Sequence, residues 1–274
     1  MLFFNPKLGL RYVKAAHEFY ISFARASREP NRDDFTQSSA ANRPTFETMN
    51  NLETGWQAAT SRWALSANYY LMSYENQLIL TGKINDVGAY TRQNVAQSYR
   101  QGIELAASFK PTTQINLFAN ATFSQNVIRN FTEYLDAYDN DWNPIAQTQT
   151  VYEKTNIAFS PSTMGNLGIE YSPAPRLTFA FTNKYVGKQF LDNTSSDSRK
   201  IDAFYVGDFR LNYGVNIKGV SDVTLTLLVN NVFDAMYAPN GYTYGWQQGG
   251  SRTSVNYYFP QAGRNFLLGV NVKF

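Results

Sequence analysis

Few residues in this chain have the types and spacing that catalysis requires. His17 is the single histidine. A serine–histidine hydrolase needs an imidazole beside a serine and a third polar group to orient it. His17 stands in a short turn, Ala15-Ala16-His17, without such neighbours, and reads as a solvated turn residue. Glycine patterns that cradle phosphates or dinucleotides are absent from the sequence. Glu133, Asp136, Asp139 and Asp141 offer the oxygen ligands that Ca²⁺ favours, but their spacing misses the EF-hand pattern. A solvated acidic loop is the expectation there, with no metal and no cofactor. The chain has no cysteine, which excludes a disulfide framework and thiolate-bound zinc. Net charge is only +3 and the basic residues are scattered, so no nucleic-acid partner is expected.

What remains is recognition. Tyr237, Tyr242, Tyr244, Trp246, Tyr257 and Tyr258 crowd the segment 234–261, with Gln247, Gln248 and Arg252 among them. Aromatic rings with amides and a guanidinium suit a flat, polar ligand such as a metal chelate or a sugar. Tyr242, Tyr244, Trp246 and Arg252 are therefore candidate ligand residues. Tyr237 and Tyr258, nearest the strands, fit a membrane-interface girdle or loop packing equally well. Arg28 and Arg32 are further candidates, since basic side chains attract anionic chelates. Pairing of Arg28, Arg32 and Arg43 with Glu29, Asp33 and Asp34 in the same loop is the stronger expectation.

The elements that carry these loops alternate with a period of two. From Phe266 the chain reads Phe266, Leu268, Val270, Val272, Phe274, with Asn265, Gly269, Asn271 and Lys273 among the residues between. Successive side chains of a strand point to opposite faces, so one face is apolar and the other largely polar. Ten earlier segments read similarly, giving eleven expected strands. Four begin or end as follows: 63–74, 97–110, 114–128 and 223–233. Turns of a few residues (Ser61-Arg62, Pro111-Thr112-Thr113, Pro173-Ala174-Pro175, Lys218-Gly219-Val220-Ser221) alternate with long polar loops at 28–49, 75–94, 129–159, 192–202 and 234–261. Glu53, Glu104, Glu170, Lys184, Asp208 and Arg210 fall on the polar rows, which implies a wet or protein-filled interior. Aromatics gather near strand ends, at Trp63, Tyr69, Phe109, Phe123, Tyr171, Tyr213 and Phe274.

Composition agrees. With 20 Phe and 19 Tyr, charged residues make up only 16% of the 274, against about a quarter in soluble proteins. Mean hydropathy is nonetheless negative, and no apolar run approaches the ~18 residues of a membrane helix. Segregated loop lengths, aromatic girdles and alternating strands predict an all-β fold, an antiparallel transmembrane β-barrel. Eleven is an odd count where bacterial barrels have even ones. The opening residues also lack an export signal. Both lead us to expect the C-terminal part of something larger.

Two segments resemble a known family. Phe259-Pro260-Gln261-Ala262-Gly263-Arg264-Asn265-Phe266, with the strand that follows, resembles the C-terminus of TonB-dependent outer-membrane receptors. Asn230-Asn231-Val232-Phe233-Asp234-Ala235-Met236-Tyr237 resembles the family's Asn-Leu-Phe-Asp-x-x-Tyr pattern, with Val232 in place of Leu. The run Ser27 to Phe35 is similar to a segment of such receptors from Bacteroidetes-like bacteria. The resemblance implies that residues 1–274 are the C-terminal half of a 22-stranded barrel, with the plug domain and signal peptide outside this chain. It further implies outer-membrane lipid and the barrel-assembly machinery as partners, the latter reading Phe266, Leu268, Val270, Val272 and Phe274. A TonB complex would act through the plug. The implied activity is transport rather than catalysis: uptake of a scarce nutrient, a ferric siderophore or related metal chelate, in a Gram-negative outer membrane. Glycan, cobalamin or haem uptake and a passive channel of about twelve strands are the alternatives.

Overall fold

The computed structural model describes residues 2–36, 38, 43–85, 87–217, 219 and 222–273. The expected turn at 218–221 lies outside them except for Gly219, as do Asp86 and Phe274. Sixteen strands and a short helix are described. They are β1 (Lys7–Lys14), β2 (His17–Arg28), α1 (Arg32–Thr36), β3 (Glu47–Ala59), β4 (Trp63–Ile84), β5 (Tyr90–Phe109), β6 (Ile115–Tyr138) and β7 (Pro144–Asn156). There follow β8 (Thr163–Ala174), β9 (Leu177–Val186), β10 (Gln189–Phe190), β11 (Lys200–Ile201), β12 (Phe204–Val215), β13 (Asp222–Asn230), β14 (Asn240–Gln248), β15 (Ser251–Phe259) and β16 (Asn265–Lys273).

Eleven of these strands form one antiparallel meander, β1-β2-β3-β4-β5-β6-β8-β9-β12-β13-β16. Its register explains the alternation. Trp63, Phe109, Leu117, Ile169, Phe181, Phe209, Val229 and Phe266 are successive partners across the sheet. Side chains on this face stay exposed: Ile103, Leu167, Leu225, Leu268 and Val270 among them. Contiguous apolar surface of this extent marks a face meant for an apolar solvent.

The opposite face is polar and cross-linked by hydrogen bonds. Tyr20 reaches across Gly55 to donate its hydroxyl to Asn68 at 2.8 Å. A Cβ on Gly55 would lie 2.5 Å from that ring, so only glycine lets the tyrosine lie flat on the wall. Asn68 donates in turn to Glu104 at 3.1 Å, and Arg210 reaches over β9 to Glu170 at 3.6 Å. The expected inner row is thus a network of polar partners.

The strands run further than alternation indicated. β4 continues ten residues past Tyr74, β5 starts at Tyr90, and β6 extends to Tyr138. Segments expected as loops, 75–94 and 129–159, are therefore largely sheet, and 234–261 contains the β14–β15 hairpin. A membrane-spanning strand needs only about 9–11 residues. The lower part of β6 pairs with β8, and the upper part pairs with β7 instead. Asn76 and Asn130 sit inside β4 and β6 at φ of 53° and 52°, a left-handed kink that asparagine tolerates better than most residues. Beyond them the strand ends rise clear of the wall as a canopy. There, Ile79, Val95, Ile128, Phe131 and Ile157 form a small buried core.

Candidate functional site

The canopy holds a partly open cavity of about 510 Å³. Its walls come from five places: Thr81, Lys83 and Gln93 on β4–β5, Glu133 and Asp136 on β6, Gln147 on β7, Asp192, Asn193, Thr194 and Arg199 between β10 and β11, and Thr243 on β14. Arg199 and Asp192 are 5% and 6% exposed. Charges so buried survive only if paired. Arg199 donates to Glu133 at 2.9 Å and to Asp192 at 2.5 Å. Arg252, from β15, grips the same Glu133 through both nitrogens, at 2.6 and 3.0 Å. Tyr152 adds its hydroxyl to Glu133 at 3.0 Å.

These groups stand above the membrane-spanning part. Burial pushes the Glu133 carboxyl up, but the hydrogen bonds from Arg252 and Arg199 outweigh it and leave Glu133 below the ordinary carboxylate range. Burial dominates at Asp192 and raises it, despite Arg199 and the Thr194 hydrogen bonds.

The β14–β15 hairpin covers the cavity. Thr243, 3% exposed, and Gly245 face inward. The alternate residues fall on the hairpin's other side. Tyr242 stacks on Tyr257 with centroids 4.8 Å apart, and Trp246 lies 6.4 Å from Trp142. Tyr244 donates to the Ile84 carbonyl at 3.0 Å. β14 also pairs in parallel with β6 at Trp246–Gln248. The candidate ligand aromatics therefore pack loop on loop beside the cavity, and Arg252 is the candidate closest to it. Tyr237 stacks on Phe204 at 4.5 Å, and Tyr258 donates to the Lys200 carbonyl.

Arg28 pairs with Glu47 across β2 and β3 at 3.0 Å, and Asp34 meets Arg92 of β5 at 3.4 Å. Arg28 and Asp34 thus pair outside the set of loop partners expected for them: one bond joins neighbouring strands and the other ties α1 to β5. Asn31 and Asp34 exchange side-chain-to-backbone bonds at 2.8 and 2.9 Å, capping α1. Arg32 is exposed in the first turn of that helix. Of the acidic run, Asp136 and Asp141 are exposed, as expected of a solvated loop, and Glu133 departs from that expectation. Glu133 is ion-paired, Asp136 accepts from Gln147 at 2.6 Å, and Asp139 caps its turn through Asp141 and Asn143. Among the described residues, no group of three or more His, Cys, Asp or Glu could hold a metal ion. His17 begins β2 and accepts from the Trp56 indole at 3.2 Å.

The two motif segments meet at the hairpin's base. Arg264 donates its backbone N–H to Asp234 at 2.7 Å and its Nε–H to the Val232 carbonyl at 3.0 Å. Asn231, 3% exposed at φ 51°, bonds Ala235 and Ala262. Asn230 donates to Asn265 at 2.9 Å, and Phe233 packs over Gly207 between Phe181 and Tyr205.

The model of the family described as TonB dependent receptor-like, beta-barrel, matches residues 3–232. The chain belongs to this family. Among curated proteins none matches it. Its fold superposes on the siderophore receptor PiuA from Acinetobacter baumannii with a TM-score of 0.71 at 20% identity, over 98% of this chain and 35% of that one. The ferric-catecholate import receptor Fiu from E. coli K12, in its closed form, gives 0.68 at 20% identity over 98% and 34%. The copper transporter OprC gives 0.68 at 17% identity over 98% and 39%. The chain thus spans little more than a third of the length of these structures. The family and these neighbours are receptors and transporters, not enzymes.

Glu133 was singled out only as part of an acidic run, and Asp192 and Arg199 were not separable from other loop residues by spacing. They converge from positions 59 and 66 residues apart, and one further sequence signal touches them: a lone acid inside the alternating Phe131–Leu135 stretch.

Proposed function

We propose that this chain is the C-terminal half of a 22-stranded, TonB-coupled receptor barrel in a Gram-negative outer membrane. The plug domain and export signal would lie in sequence N-terminal to it. The receptor would import a scarce, bulky nutrient, a ferric siderophore or related metal chelate. The observation that carries this reading is the pairing of an apolar outer face with a polar inner face below a canopy that holds a partly open cavity. The neighbours' names support the solute class. Solute would enter past Arg28, Arg32, Tyr242, Tyr244, Trp246 and Arg252, and TonB would act through the plug. Both sheet edges, β1 and β16, need partners, because unpaired backbone groups in lipid are costly. The match to a TonB-dependent receptor barrel favours this reading over a passive channel of this chain alone.

One observation favours a second solute class within the same family. The cavity's hydroxyl and amide lining (Thr81, Gln93, Asn193, Thr243), with its buried charges already paired, suits a neutral polyhydroxylated solute such as a glycan.

The test is uptake by cells whose only receptor is the intact protein, comparing labelled ferric chelates with labelled oligosaccharides, with and without TonB. TonB-dependent accumulation of either class is the expected result and identifies the solute. Passive, TonB-independent permeation would overturn the reading. For the assembly role of the terminal strand, Phe274→Asp should lower the folded yield in the outer membrane, and an unchanged yield would remove that role.

A further inference from the structure

We propose that Asn231, Asp234, Gly263 and Arg264 form a register lock that fixes how the terminal strand β16 pairs with β13. The inference rests on reading β16 as a lipid-facing wall strand, and it gives the motif residues a positional role.

Register in a sheet is set by the pattern of its faces or by a tight turn. A slip of one residue would turn Phe266, Leu268, Val270 and Val272 to the polar side and is therefore excluded. A slip of two is not. In the observed register Val223, Leu225, Leu227 and Val229 oppose Val272, Val270, Leu268 and Phe266. Moved by two one way, Leu225 meets Leu268 and Leu227 meets Phe266. Moved the other way, Leu225 meets Val272 and Leu227 meets Val270. The outer row stays apolar in all three, and cross-strand pairs differ by only about 0.2–1 kcal/mol each. No tight turn decides between them, because β13 and β16 are separated by the whole β14–β15 hairpin.

The selecting contacts sit just past the last ladder pair, Asn230 with Asn265. Asp234, at φ 55°, turns its carboxylate back to the Arg264 N–H. That carboxylate occupies the space a side chain on residue 263 would need: a Cβ there would lie 2.7 Å from Asp234 Oδ1. Asn231 binds the Ala262 carbonyl, and Arg264 reaches the Val232 carbonyl. The Asn231 backbone N–H is itself held by Asp208 of β12 at 2.8 Å. Four hydrogen bonds thus tie residues 231–234 to 262–264 and to the preceding strand. The three that cross to 262–264 do not survive a shift of two residues, which would bring Gly263 opposite Asn230 or carry Arg264 away from Asp234.

These 274 residues contain no cysteine, so engineered pairs within them permit a direct test. A Cβ at Gly269 would lie 3.8 Å from the Thr226 Cβ, within disulfide range. Thr226→Cys with Gly269→Cys reports the native register, and Thr226→Cys with Leu267→Cys or Asn271→Cys reports the slipped ones. The pairs are placed in the intact receptor and oxidised in outer membranes. The native pair should cross-link almost completely and the slipped pairs hardly at all. Asp234→Ala should raise slipped cross-linking at least tenfold. Asp234→Asn, which keeps an acceptor and tolerates positive φ, should restore the native pattern. Should Asp234→Ala give no folded protein, recovery of native cross-linking in Asp234→Asn still supports the lock. Native-only cross-linking in Asp234→Ala, or slipped cross-linking in Asp234→Asn equal to that of alanine, overturns it. Labelling of Leu268→Cys by a water-soluble maleimide in intact membranes would instead sink the lipid-facing reading beneath it.

Discussion

Glu133 is one carboxylate serving two arginines from different loops. Removing its charge leaves Arg252 without a charged partner and Arg199 with Asp192 alone, which is destabilising in a partly buried network. Glu133→Gln should therefore loosen the canopy, and hydrogen exchange in β14 and β15 should rise while exchange in the wall stays unchanged. The same group predicts a pH response. Its folded pKa lies below the ordinary value of 4.5. Its contribution is therefore complete above that pH and is lost as pH falls through the lowered value. Asp192 runs the other way: burial raises it, so the folded canopy holds that proton to higher pH and acid does not loosen the loop through it. Acid-induced rise in hairpin exchange should appear in the unmodified protein and vanish in Glu133→Gln; equal acid sensitivity in both would exclude Glu133 as the source. At this scale the sequence marked Asp234 and Gly263 only through their resemblance to family motifs, and the local demand that each answers became visible in the hydrogen bonds around them. The sequence was opaque at Arg199 and Glu133, whose meaning lies in a partner far along the chain.

Strands were legible wherever lipid enforces alternation. The lower part of β6, from Ile115 to Phe123, alternates because one face meets lipid and the other the lumen. Above Asn130 both faces meet protein or water, so alternation fades, and β7 and the upper parts of β4 to β6 read as loops. The hairpin β14–β15 was hidden for the same reason: its tyrosines suggested a ligand surface, and they stack mainly on one another. The two faces of a wall strand make an opposed prediction. Ile169→Arg, on the exposed apolar row, should cost about 2–4 kcal/mol if it lies near the membrane centre. Glu170→Gln next to it, on the inner face, should cost far less, since it weakens only long contacts, the 3.6 Å pair with Arg210 and a 3.5 Å bond from Asn116. Equal losses in a refolding assay into lipid vesicles would mean that the two faces are not differently solvated.

At the scale of the whole molecule, the count of eleven wall strands was legible because each spans a lipid layer of fixed thickness and must repeat the same pattern. The extra height of the canopy was not, because nothing outside the membrane fixes a length. That height separates two kinds of apolar surface. In the wall, Ile103, Leu167 and Val270 are stabilised by a hydrocarbon that aqueous additives barely reach. Around Ile79, Val95, Ile128, Phe131 and Ile157 the stabilisation comes from exclusion of water, as in a small soluble domain. Urea acts on the second kind. Titration of the vesicle-embedded receptor should therefore give two steps: a reversible low-urea transition with the modest slope of a small exposed area, confined to the canopy, and a wall that persists to far higher concentration. The molecule would then have two separate stabilities, one set by the cell's surroundings and one by its membrane.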